Sequence, residues 1–406
     1  MVKIKFLQRI LPLLPSSTQH SKPCNLSVNF GNNIHYFTGL NALRFWAAYF
    51  VVLHHAEQIR MKYGMFNLKE YALFNNGGIA VTFFFVLSGF LITYLLLQKQ
   101  YNTNEISVKQ FYIRRILRIW PLYFLLVFLG ALLVPYLVQS IGYSYEMPYG
   151  FKNVIGYFVF FMPFMVNIKF GHHLLEPLWS IGVEELFYLV WAPLFKWLKR
   201  HILAIILSVI LIKICVSVVV FRFEIQNTFS EVLGALQFEA MAMGGLGAYI
   251  IFHRKKEISE SGLFSLPVQL FAILFLLLHL LCRNYLTENS CIFRSLFQTP
   301  IASNFLLIAI FVWLIINTSL NRKAIIRFHN KYLNFLGEIS YGIYMYHMLV
   351  VFGIIWMFKD RLNCLGSALS TIVFYLLLTT GVIFVSYLSK IRFEDYFLKL
   401  KSKFNK

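Results

Sequence analysis

The chain has 406 residues, of which 59% are hydrophobic and only 13% are charged. Soluble domains usually carry about 25% charged residues, so the composition excludes an ordinary soluble protein. The formal net charge of +20 does not indicate nucleic-acid binding, because the basic residues are spread among short loops, as membrane topology requires. The 5 Cys residues show no CxxC spacing, so we predict no metal site.

Long apolar segments recur along the chain and predict an all-α, polytopic membrane protein. A transmembrane helix needs about 20 mostly apolar residues. We predict ten spans, at 40–59, 79–98, 119–138, 179–197, 203–221, 233–252, 267–282, 301–317, 335–357 and 367–389. The stretch 154–168 is short and contains Pro163, so we expect a re-entrant or interfacial segment there rather than an eleventh span.

The basic residues favour one orientation of these spans. With the N-terminus inside, the inner segments hold 25 Lys and Arg residues and the outer segments hold 10, an asymmetry typical of positive-inside topology. We therefore expect residues 1–39 to be a cytoplasmic segment, 40–389 a transmembrane domain and 390–406 a basic cytoplasmic tail. The expected location is the plasma (inner) membrane, and the N-terminus shows no cleavable signal pattern.

Two ionisable residues, Arg44 and His55, lie eleven positions apart in the first span. Eleven helical residues rise about 16 Å and make about three turns, so both side chains lie near one face. Ionisable groups inside a membrane segment are costly and are functional candidates. Counted from the outer end of the fourth span, Glu184 and Glu185 reach about 10 Å inward. One of these carboxylates could orient His55 as a general base. Alternatively, an ion pair or polar contact between His55 and the carboxylate could only hold two helices together.

An arginine cluster lies at the inner mouth of the third span, just before Pro121. Arg114 and Arg118 are four residues apart and share a helix face with Arg115 beside them. Guanidinium groups in such an arrangement suit phosphate. Generic positive-inside anchoring or contact with lipid headgroups is the alternative interpretation.

Several other polar or aromatic residues lie inside predicted spans and are candidates for substrate contact. Ser88 could be a nucleophile, but it has no elbow motif, and helix packing at Ser88-Gly89 is the better interpretation. Trp179 could be an interfacial aromatic or could stack on a sugar. His347 could line a cavity or satisfy a buried polar contact. The candidates for substrate binding are Trp179, Tyr188, Ser88, Tyr344 and His347.

Five segments occur in series from the first span to the ninth. They are Leu40–Arg44 (LNALR) continuing to His55, Phe84–Leu91 (FFVLSGFL), Arg114–Pro121 (RRILRIWP), Leu178–Tyr188 (LWSIGVEELFY) and Leu336–His347 (LGEISYGIYMYH). In this order they make the chain resemble the acyltransferase-3 family of integral-membrane acyltransferases. The family spacing of a basic residue, ten residues and a His is kept by Arg44 and His55. Thr82 stands where the family often has an acidic residue, and Leu349 where it commonly has Pro.

The resemblance implies a transfer reaction. An acyl group, usually acetyl from cytoplasmic acetyl-CoA, would move to a hydroxyl of a surface glycan or lipid-linked saccharide outside. His55 would deprotonate the acceptor with Arg44, Glu184 and Glu185 in the catalytic group. Arg114, Arg115, Arg118 and Arg44 would bind the acyl-CoA. No metal is implied.

The chain ends at Lys406 without an esterase-like domain, so it resembles the stand-alone type of the family. A transporter or flippase of a lipid-linked oligosaccharide is the alternative function, although the inverted repeats frequent in transporters are not found in the sequence. The sequence leaves open the acceptor sugar, an acetyl or a longer acyl donor, direct transfer or a covalent acyl-histidine, and the oligomeric state.

Overall fold

The structure is a computed structural model that describes residues 39–142, 149–291, 293–294, 300–321, 323–326 and 330–400. All regular elements within these ranges are helical. The helices are α1 (Leu40–Lys62), α2 (Gly77–Thr103), α3 (Val108–Phe128), α4 (Val134–Ser140), α5 (Phe151–Val159), α6 (Pro163–Phe170), α7 (Leu178–Trp197), α8 (Ile202–Arg222), α9 (Thr228–Ala235), α10 (Phe238–Glu260), α11 (Leu266–Asn289), α12 (Pro300–Leu320), α13 (Lys331–Glu338), α14 (Ser340–Asn363), α15 (Ser367–Ser389) and α16 (Asp395–Leu400).

Nine helical segments in the described part of the chain are long and apolar enough to cross a membrane. They fall on every predicted span except the first. The first span corresponds to α1, whose 23 residues reach about 35 Å, but which is more polar because it carries Arg44, His55, Glu57 and Arg60. The prediction of an all-α multi-pass membrane protein is confirmed, and the crossing by α1 stays a prediction.

The stretch 154–168 does not form one long helix. It is divided between α5 and α6, which have 9 and 8 residues, whereas the hydrocarbon core is about 30 Å thick and needs about 20 helical residues. The break falls at Phe161, which has a positive φ of 56°, and Pro163 then begins α6. Neither helix can cross the membrane alone, and α6 leads directly into the loop that precedes α7.

Glycines bring α2 and α10 into backbone contact. A Cβ added at Gly89 would lie 1.9 Å from the carbonyl oxygen of Met241, and one at Gly244 would lie 1.9 Å from that of Val86. Larger residues at either position would therefore force the two helices apart, as expected where small residues mediate packing in membranes. The predicted packing role of the Ser88-Gly89 pair is thus fulfilled by Gly89.

The third span is interrupted in two places. Pro121 lies inside α3, and residues Leu129–Leu133 form a π-helical segment that joins α3 to α4. Proline removes a backbone hydrogen bond, and π-helical segments are local departures from regular α-helix. Gly130 in this segment faces Leu175, since a Cβ there would lie 2.4 Å from the Leu175 Cδ2 atom.

A buried ion pair fixes the C-terminal end of α1. Arg60 Nη1 donates to Glu57 Oε1 at 2.7 Å, and both side chains have 0% exposure. Arg60 Nη2 also donates to Thr371 Oγ1 at 2.9 Å, while Glu57 accepts hydrogen bonds from Tyr375 and from the backbone N–H of Leu68. The pair therefore ties α1 to α15 and to the loop that follows α1.

The predicted terminal segments are described only in part. Residues 1–38 and 401–406 lie outside the described residues. Within the predicted tail, the segment Lys390–Glu394 continues α15 as a π-helical turn and leads into α16, which packs against α3.

Candidate active site

Three residues from separate parts of the chain meet at the candidate base. His55 on α1 lies with its Nδ1 atom 3.1 Å from Nε2 of His347 on α14. On its other side, His55 Nε2 lies 4.0 Å from Oε1 of Glu176, in the loop before α7. His347 is fully buried and His55 is 7% exposed. Of the two interpretations of His347, the structure shows a buried polar contact, and its partner is His55.

The hydrogen bonds determine which nitrogen of His55 is free to accept a proton. His347 Nδ1 lies 2.6 Å from the carbonyl oxygen of Tyr344, which can only accept, so Nδ1 carries the hydrogen and Nε2 of neutral His347 is an acceptor. His55 Nδ1 must therefore be the donor toward His347 Nε2, and it also faces the Val51 carbonyl oxygen at 3.1 Å. In neutral His55 the lone pair is on Nε2, the atom that faces Glu176.

The loop that carries Glu176 is held by a second, structural histidine. His173 Nε2 donates to Asn167 Oδ1 at 2.8 Å, and its Nδ1 accepts the N–H of Leu175 at 3.1 Å. Burial lowers the pKa of His173 to about 4, in keeping with this neutral role. Asn167 Nδ2 in turn donates to the backbone carbonyl of Glu176 at 3.1 Å. These bonds fix the position of the Glu176 carboxylate.

Glu176 connects the buried histidine to the surface. Its Oε2 atom lies 2.8 Å from Nδ1 of His172, whose side chain is 70% exposed. Burial raises the pKa of Glu176, while the contact with His172 opposes that effect. The carboxylate therefore has a buried imidazole on one side and a solvent-accessible imidazole on the other.

A second cluster lies deeper in the bundle, around Glu184 and Glu185 on α7. Tyr188 donates to Glu184 Oε2 at 3.0 Å and is hydrogen-bonded to Ser88 on α2. Trp120 Nε1 donates to Glu185 Oε2 at 2.9 Å. The two carboxylates are thus held by aromatic donors from α3 and α7.

Three of the four predicted arginines, Arg44, Arg115 and Arg118, converge on this deeper cluster. Arg44 interacts electrostatically with Arg115, Arg118 and Glu184. Arg115 also lies over the Tyr188 ring, 5.2 Å from its centroid, and Arg118 is exposed. Three cations near the two carboxylates Glu184 and Glu185 leave a formal charge of +1, which suits an anion.

The predicted proximity of Glu184 and Glu185 to His55 is wrong. Among the residues that the structure describes, the carboxylate nearest His55 is Glu176, whereas Glu184 and Glu185 belong to the arginine cluster at the depth of Arg44. The reason is that α7 begins at about the depth of His55, because its preceding loop dips into the bundle. The eight residues from Glu176 to Glu184 rise about 12 Å, which nearly matches the 16 Å between His55 and Arg44.

The remaining predicted substrate residues lie between the two clusters. Tyr344 donates to the Pro177 carbonyl at 2.9 Å and is hydrogen-bonded to Ser180 at 2.7 Å, so it anchors the start of α7. Trp179 packs edge-on against Phe85, with ring centroids 5.9 Å apart. Their contact with a substrate stays a prediction.

Sequence reasoning missed Glu176 because the residue precedes a span in a polar loop and resembles a surface carboxylate. Its position directly before Pro177 and the Leu178–Tyr188 segment was the only available signal. Among the described residues, no three His, Cys, Asp or Glu side chains are grouped so as to hold a metal ion.

The family profile of the acyltransferase domain (Acyl_transf_3) matches residues 37–390, so the chain belongs to this family of acyltransferases. Among curated proteins, it is 26% identical over 339 residues to the O-acetyltransferase OatA of Staphylococcus aureus (strain NCTC 8325 / PS 47), an alignment covering 78% of this chain and 51% of that protein. The chain thus spans about half the length of this relative.

Two further relatives match shorter stretches. The putative peptidoglycan O-acetyltransferase YrhL of Bacillus subtilis (strain 168) is 30% identical over 180 residues, covering 41% of this chain and 25% of that protein. The peptidoglycan O-acetyltransferase OatA of Listeria monocytogenes is 33% identical over 141 residues, covering 30% of this chain and 21% of that protein. No solved structure matches the chain.

Proposed function

We propose that this protein is a membrane O-acyltransferase that modifies a carbohydrate on the outer side of the plasma (inner) membrane. The donor is an acyl-CoA, with acetyl as the acyl group, that enters from the cytoplasm. The acceptor is a hydroxyl of a surface glycan or lipid-linked saccharide, and the relatives named as peptidoglycan O-acetyltransferases make peptidoglycan the first acceptor to test. The observation that carries the proposal is the position of His55 Nε2, 4.0 Å from Glu176 Oε1, while Nδ1 of the same ring is engaged by His347 and the Val51 carbonyl.

His55 acts as the general base in the proposed reaction. Its Nε2 takes the proton of the acceptor hydroxyl while that oxygen attacks the thioester carbonyl carbon. The carbon–oxygen bond forms, the carbon–sulfur bond breaks, and the CoA thiolate takes up a proton as the imidazolium gives one back. The net products are the O-acylated acceptor and free CoA. His347 and the Val51 carbonyl hold Nδ1–H, which keeps Nε2 directed to the reacting atoms.

The arginine cluster supplies the donor site. Arg118 is exposed although charges from Arg44, Arg115 and Glu184 surround it, which is expected of a side chain that lines an opening into the bundle. The cluster lies about 16 Å inward of His55 along α1, on the side where the basic loops predict the cytoplasm. Phosphates of the donor would bind on this side, and the acylated arm would extend toward His55.

The direct test is transfer by the purified protein. Full-length protein in lipid nanodiscs is supplied with acetyl-CoA and a muropeptide or oligosaccharide acceptor, and acceptor mass is followed. A gain of one acetyl group that depends on the protein is expected. A complementary measurement compares surface-glycan masses from a deletion strain and its parent. Identical glycans together with no transfer in vitro would refute the function.

Glu176→Gln tests the carboxylate next to His55. A unit charge 4 Å from the forming imidazolium is worth up to about 4 kcal/mol at a partly buried site, so we expect a loss of about tenfold or more in kcat/KM. Burial raises the pKa of Glu176, so transfer by the parent should decline as the pH falls through that raised value and the carboxylate is neutralised. In Glu176→Gln the carboxylate is absent, so the part of the decline that its protonation causes should be absent as well. A pH profile of kcat/KM measures this difference between the variant and the parent.

The exposed residue Glu231 provides the matched control. Glu231→Gln removes a carboxylate on the same predicted side of the membrane and should leave the profile unchanged. An unchanged rate and pH profile in Glu176→Gln would show that His55 works without this carboxylate.

Arg118→Ala tests the donor site. A charge-assisted hydrogen bond contributes about 1.5–3 kcal/mol, so the KM for acetyl-CoA should rise by roughly 10- to 150-fold while the acceptor KM changes little. Arg200→Ala, at an exposed arginine in a predicted inner loop, is the control. Titration calorimetry with acetyl-CoA provides an independent measurement. Equal affinity of the parent and an Arg114→Ala/Arg118→Ala variant for acetyl-CoA would contradict the donor site and favour the alternative, in which these arginines only anchor the helix at the membrane surface.

A further inference from the structure

The N-terminus of α2 carries backbone N–H groups without an acceptor. Among the described residues, no oxygen accepts from the N–H groups of Gly77, Gly78 or Ile79. The first turn of this 27-residue helix holds no acidic residue, and no side chain caps it. Because a helix N-terminus carries a partial charge of about +0.5, unpaired N–H groups there attract an anion. A Cβ built on Gly78 meets nothing within 4 Å, so there is open space beside these groups.

Asn76, the residue before α2, adds a buried oxygen that has no donor. Its Nδ2 atom donates to the backbone oxygen of Leu73 at 3.3 Å and to that of Leu280 on α11 at 2.9 Å. Because carbonyl oxygens only accept, these two bonds fix the orientation of the amide and leave Oδ1 as the acceptor. Asn76 is 0% exposed, and Oδ1 meets no donor in the part of the chain that the structure describes. A buried acceptor left unpaired is costly, so this atom indicates a ligand that brings a hydroxyl or an N–H.

A guanidinium group lies one helical turn from the contact between Asn76 and α11. Arg283 follows Leu280 by three residues and His279 by four, so these residues share one face of α11. His279 is 6% exposed and interacts electrostatically with Arg283, so this face is turned toward the bundle. Arg283 is half-buried and forms no ion pair or side-chain hydrogen bond with any residue in the described ranges. A guanidinium in this state suits a phosphate or a carboxylate.

These groups lie beside the candidate base. We call them the α2 anion site and define it by the N–H groups of Gly77, Gly78 and Ile79, Asn76 Oδ1 and the Arg283 guanidinium. A Cβ on Gly77 would lie 2.4 Å from Cδ2 of His54, so the start of α2 packs directly on α1. The ring centroids of His54 and His55 are 5.3 Å apart. One imidazole therefore separates the α2 anion site from the base, and the group attached to a bound anion lies next to His55.

The α2 anion site needs a ligand with two properties. The helix N-terminus and Arg283 require an anion, while Asn76 Oδ1 requires a hydrogen-bond donor next to it, which a phosphate diester or diphosphate does not supply by itself. A sugar joined to a phosphate meets both requirements, because its hydroxyls lie beside the phosphate linkage. On α11, Leu274, Leu277 and Leu281 are exposed, so a lipid tail attached to the phosphate has an apolar surface to lie along.

We propose that the α2 anion site binds the diphosphate of a polyprenyl-linked saccharide, so that the acceptor is the lipid-linked form rather than the finished surface glycan. The N–H groups and Arg283 hold the phosphates, Asn76 Oδ1 accepts a hydroxyl of the first sugar, and the hydroxyl to be acylated lies at His55. This inference rests on the proposed function, because it takes a saccharide as the acceptor. Phosphatidylglycerol also combines a phosphate with hydroxyls, and the position beside the base favours the saccharide.

The experiment places a negative charge in the α2 anion site of the full chain in nanodiscs. In Gly78→Asp the side chain enters the open space, and a carboxylate in the first turn stabilises a helix, so the fold is kept while the anion is repelled. Gly78→Ala is the matched control, since it adds the same Cβ without the charge. Arg283→Gln removes the cation, and Arg222→Gln, at an exposed arginine on the same predicted side of the membrane, is its control.

Two pairs of probes are used. Binding of geranylgeranyl-diphosphoryl-N-acetylglucosamine is compared with that of the geranylgeranyl glycoside, which lacks the diphosphate. Titration calorimetry follows both in phosphatidylcholine discs with and without phosphatidylglycerol. Transfer from acetyl-CoA is measured to the polyprenyl-diphosphate-linked disaccharide-peptide unit of peptidoglycan, and to the same unit released from its lipid diphosphate.

We expect Gly78→Asp and Arg283→Gln each to weaken binding of the diphosphate probe by about tenfold or more. Gly78→Ala and Arg222→Gln should bind it as the parent does. The thermal unfolding midpoint of Gly78→Asp should be at or above that of the parent, which separates a blocked site from a damaged fold. In the parent, the KM for the lipid-linked unit should be lower than that for the released unit, and Gly78→Asp and Arg283→Gln should raise only the former.

Three results would overturn the assignment. They are equal binding of the two probes by the parent, equal binding of the diphosphate probe by Gly78→Asp and Gly78→Ala, and a fall in the parent's affinity on adding phosphatidylglycerol as large as that caused by Arg283→Gln, which would assign the site to a lipid headgroup. A parent that binds the diphosphate probe through Arg283 but acetylates neither unit would refute the proposed function and leave the site standing. A parent that acetylates the released unit but does not bind the diphosphate probe would refute this inference alone.

Discussion

Replacing His55 with alanine is expected to lower acetyl transfer by about 10²- to 10⁴-fold, the usual contribution of a positioned general base. The change removes Nε2, the atom directed at Glu176, and leaves the Arg118 region untouched. Affinity for acetyl-CoA should therefore remain parental in calorimetry. This second measurement separates a loss of chemistry from a loss of folding.

His54 offers a matched control because it is the adjacent imidazole on the same helix. It is half-buried, its Nδ1 faces the Phe74 carbonyl at 3.3 Å, and its ring packs edge-on against that of His55, with centroids 5.3 Å apart. His54 forms no ion pair with any described carboxylate. His54→Ala should retain most of the transfer rate. Parental transfer by well-expressed His55→Ala protein would rule out the proposed base.

Removing one partner of the buried pair Glu57–Arg60 is expected to destabilise the fold by about 3–5 kcal/mol, because it leaves an uncompensated charge in an apolar interior. In Glu57→Leu, Arg60 loses the acceptor at 2.7 Å, and Tyr375 and the N–H of Leu68 lose theirs. The thermal unfolding midpoint of the detergent-solubilised protein measures the effect.

The double variant Glu57→Leu/Arg60→Leu sharpens this prediction. Because it removes both charges, it should recover much of the stability lost by Glu57→Leu alone. Glu70→Gln, at an exposed carboxylate in the following loop, should unfold at the parental temperature. A single variant as stable as the parent would mean that water reaches the pair and the charge is not buried.

The sequence predicted the helical spans well because a run of about 20 apolar residues is a local property. It also singled out Arg44 and His55 as candidates, since ionisable residues in an apolar run are conspicuous, and their roles stay a prediction. The sequence could not predict how deep Glu184 lies in the membrane, because the start of α7 was assumed to lie at the membrane surface. The loop before α7 instead reaches the level of His55, so Glu184 lies about two helical turns deeper than expected.

The sequence also could not predict contacts between distant parts of the chain. The bond between His55 and His347 joins residues 292 positions apart, and nothing in either local segment specifies the other. The bond between Ser88 and Tyr188 spans 100 positions and depends on the close approach of α2 to its neighbours. Such pairings follow from the way the helices pack together, and the residue pattern of a single segment does not predict that packing.

The backbone contact of α2 with α10 has a consequence for motion. Helices whose backbones touch at Gly89 and Gly244 move as one rigid body, because a tilt of either would drive carbonyl groups together. Among the helices described, α3 is interrupted twice, by Pro121 and by the π-helical turn, and such interruptions are where helices bend. Arg114 and Arg118 lie on the N-terminal side of Pro121 in this helix, so a bend at Pro121 would move both arginines relative to the rest of the bundle.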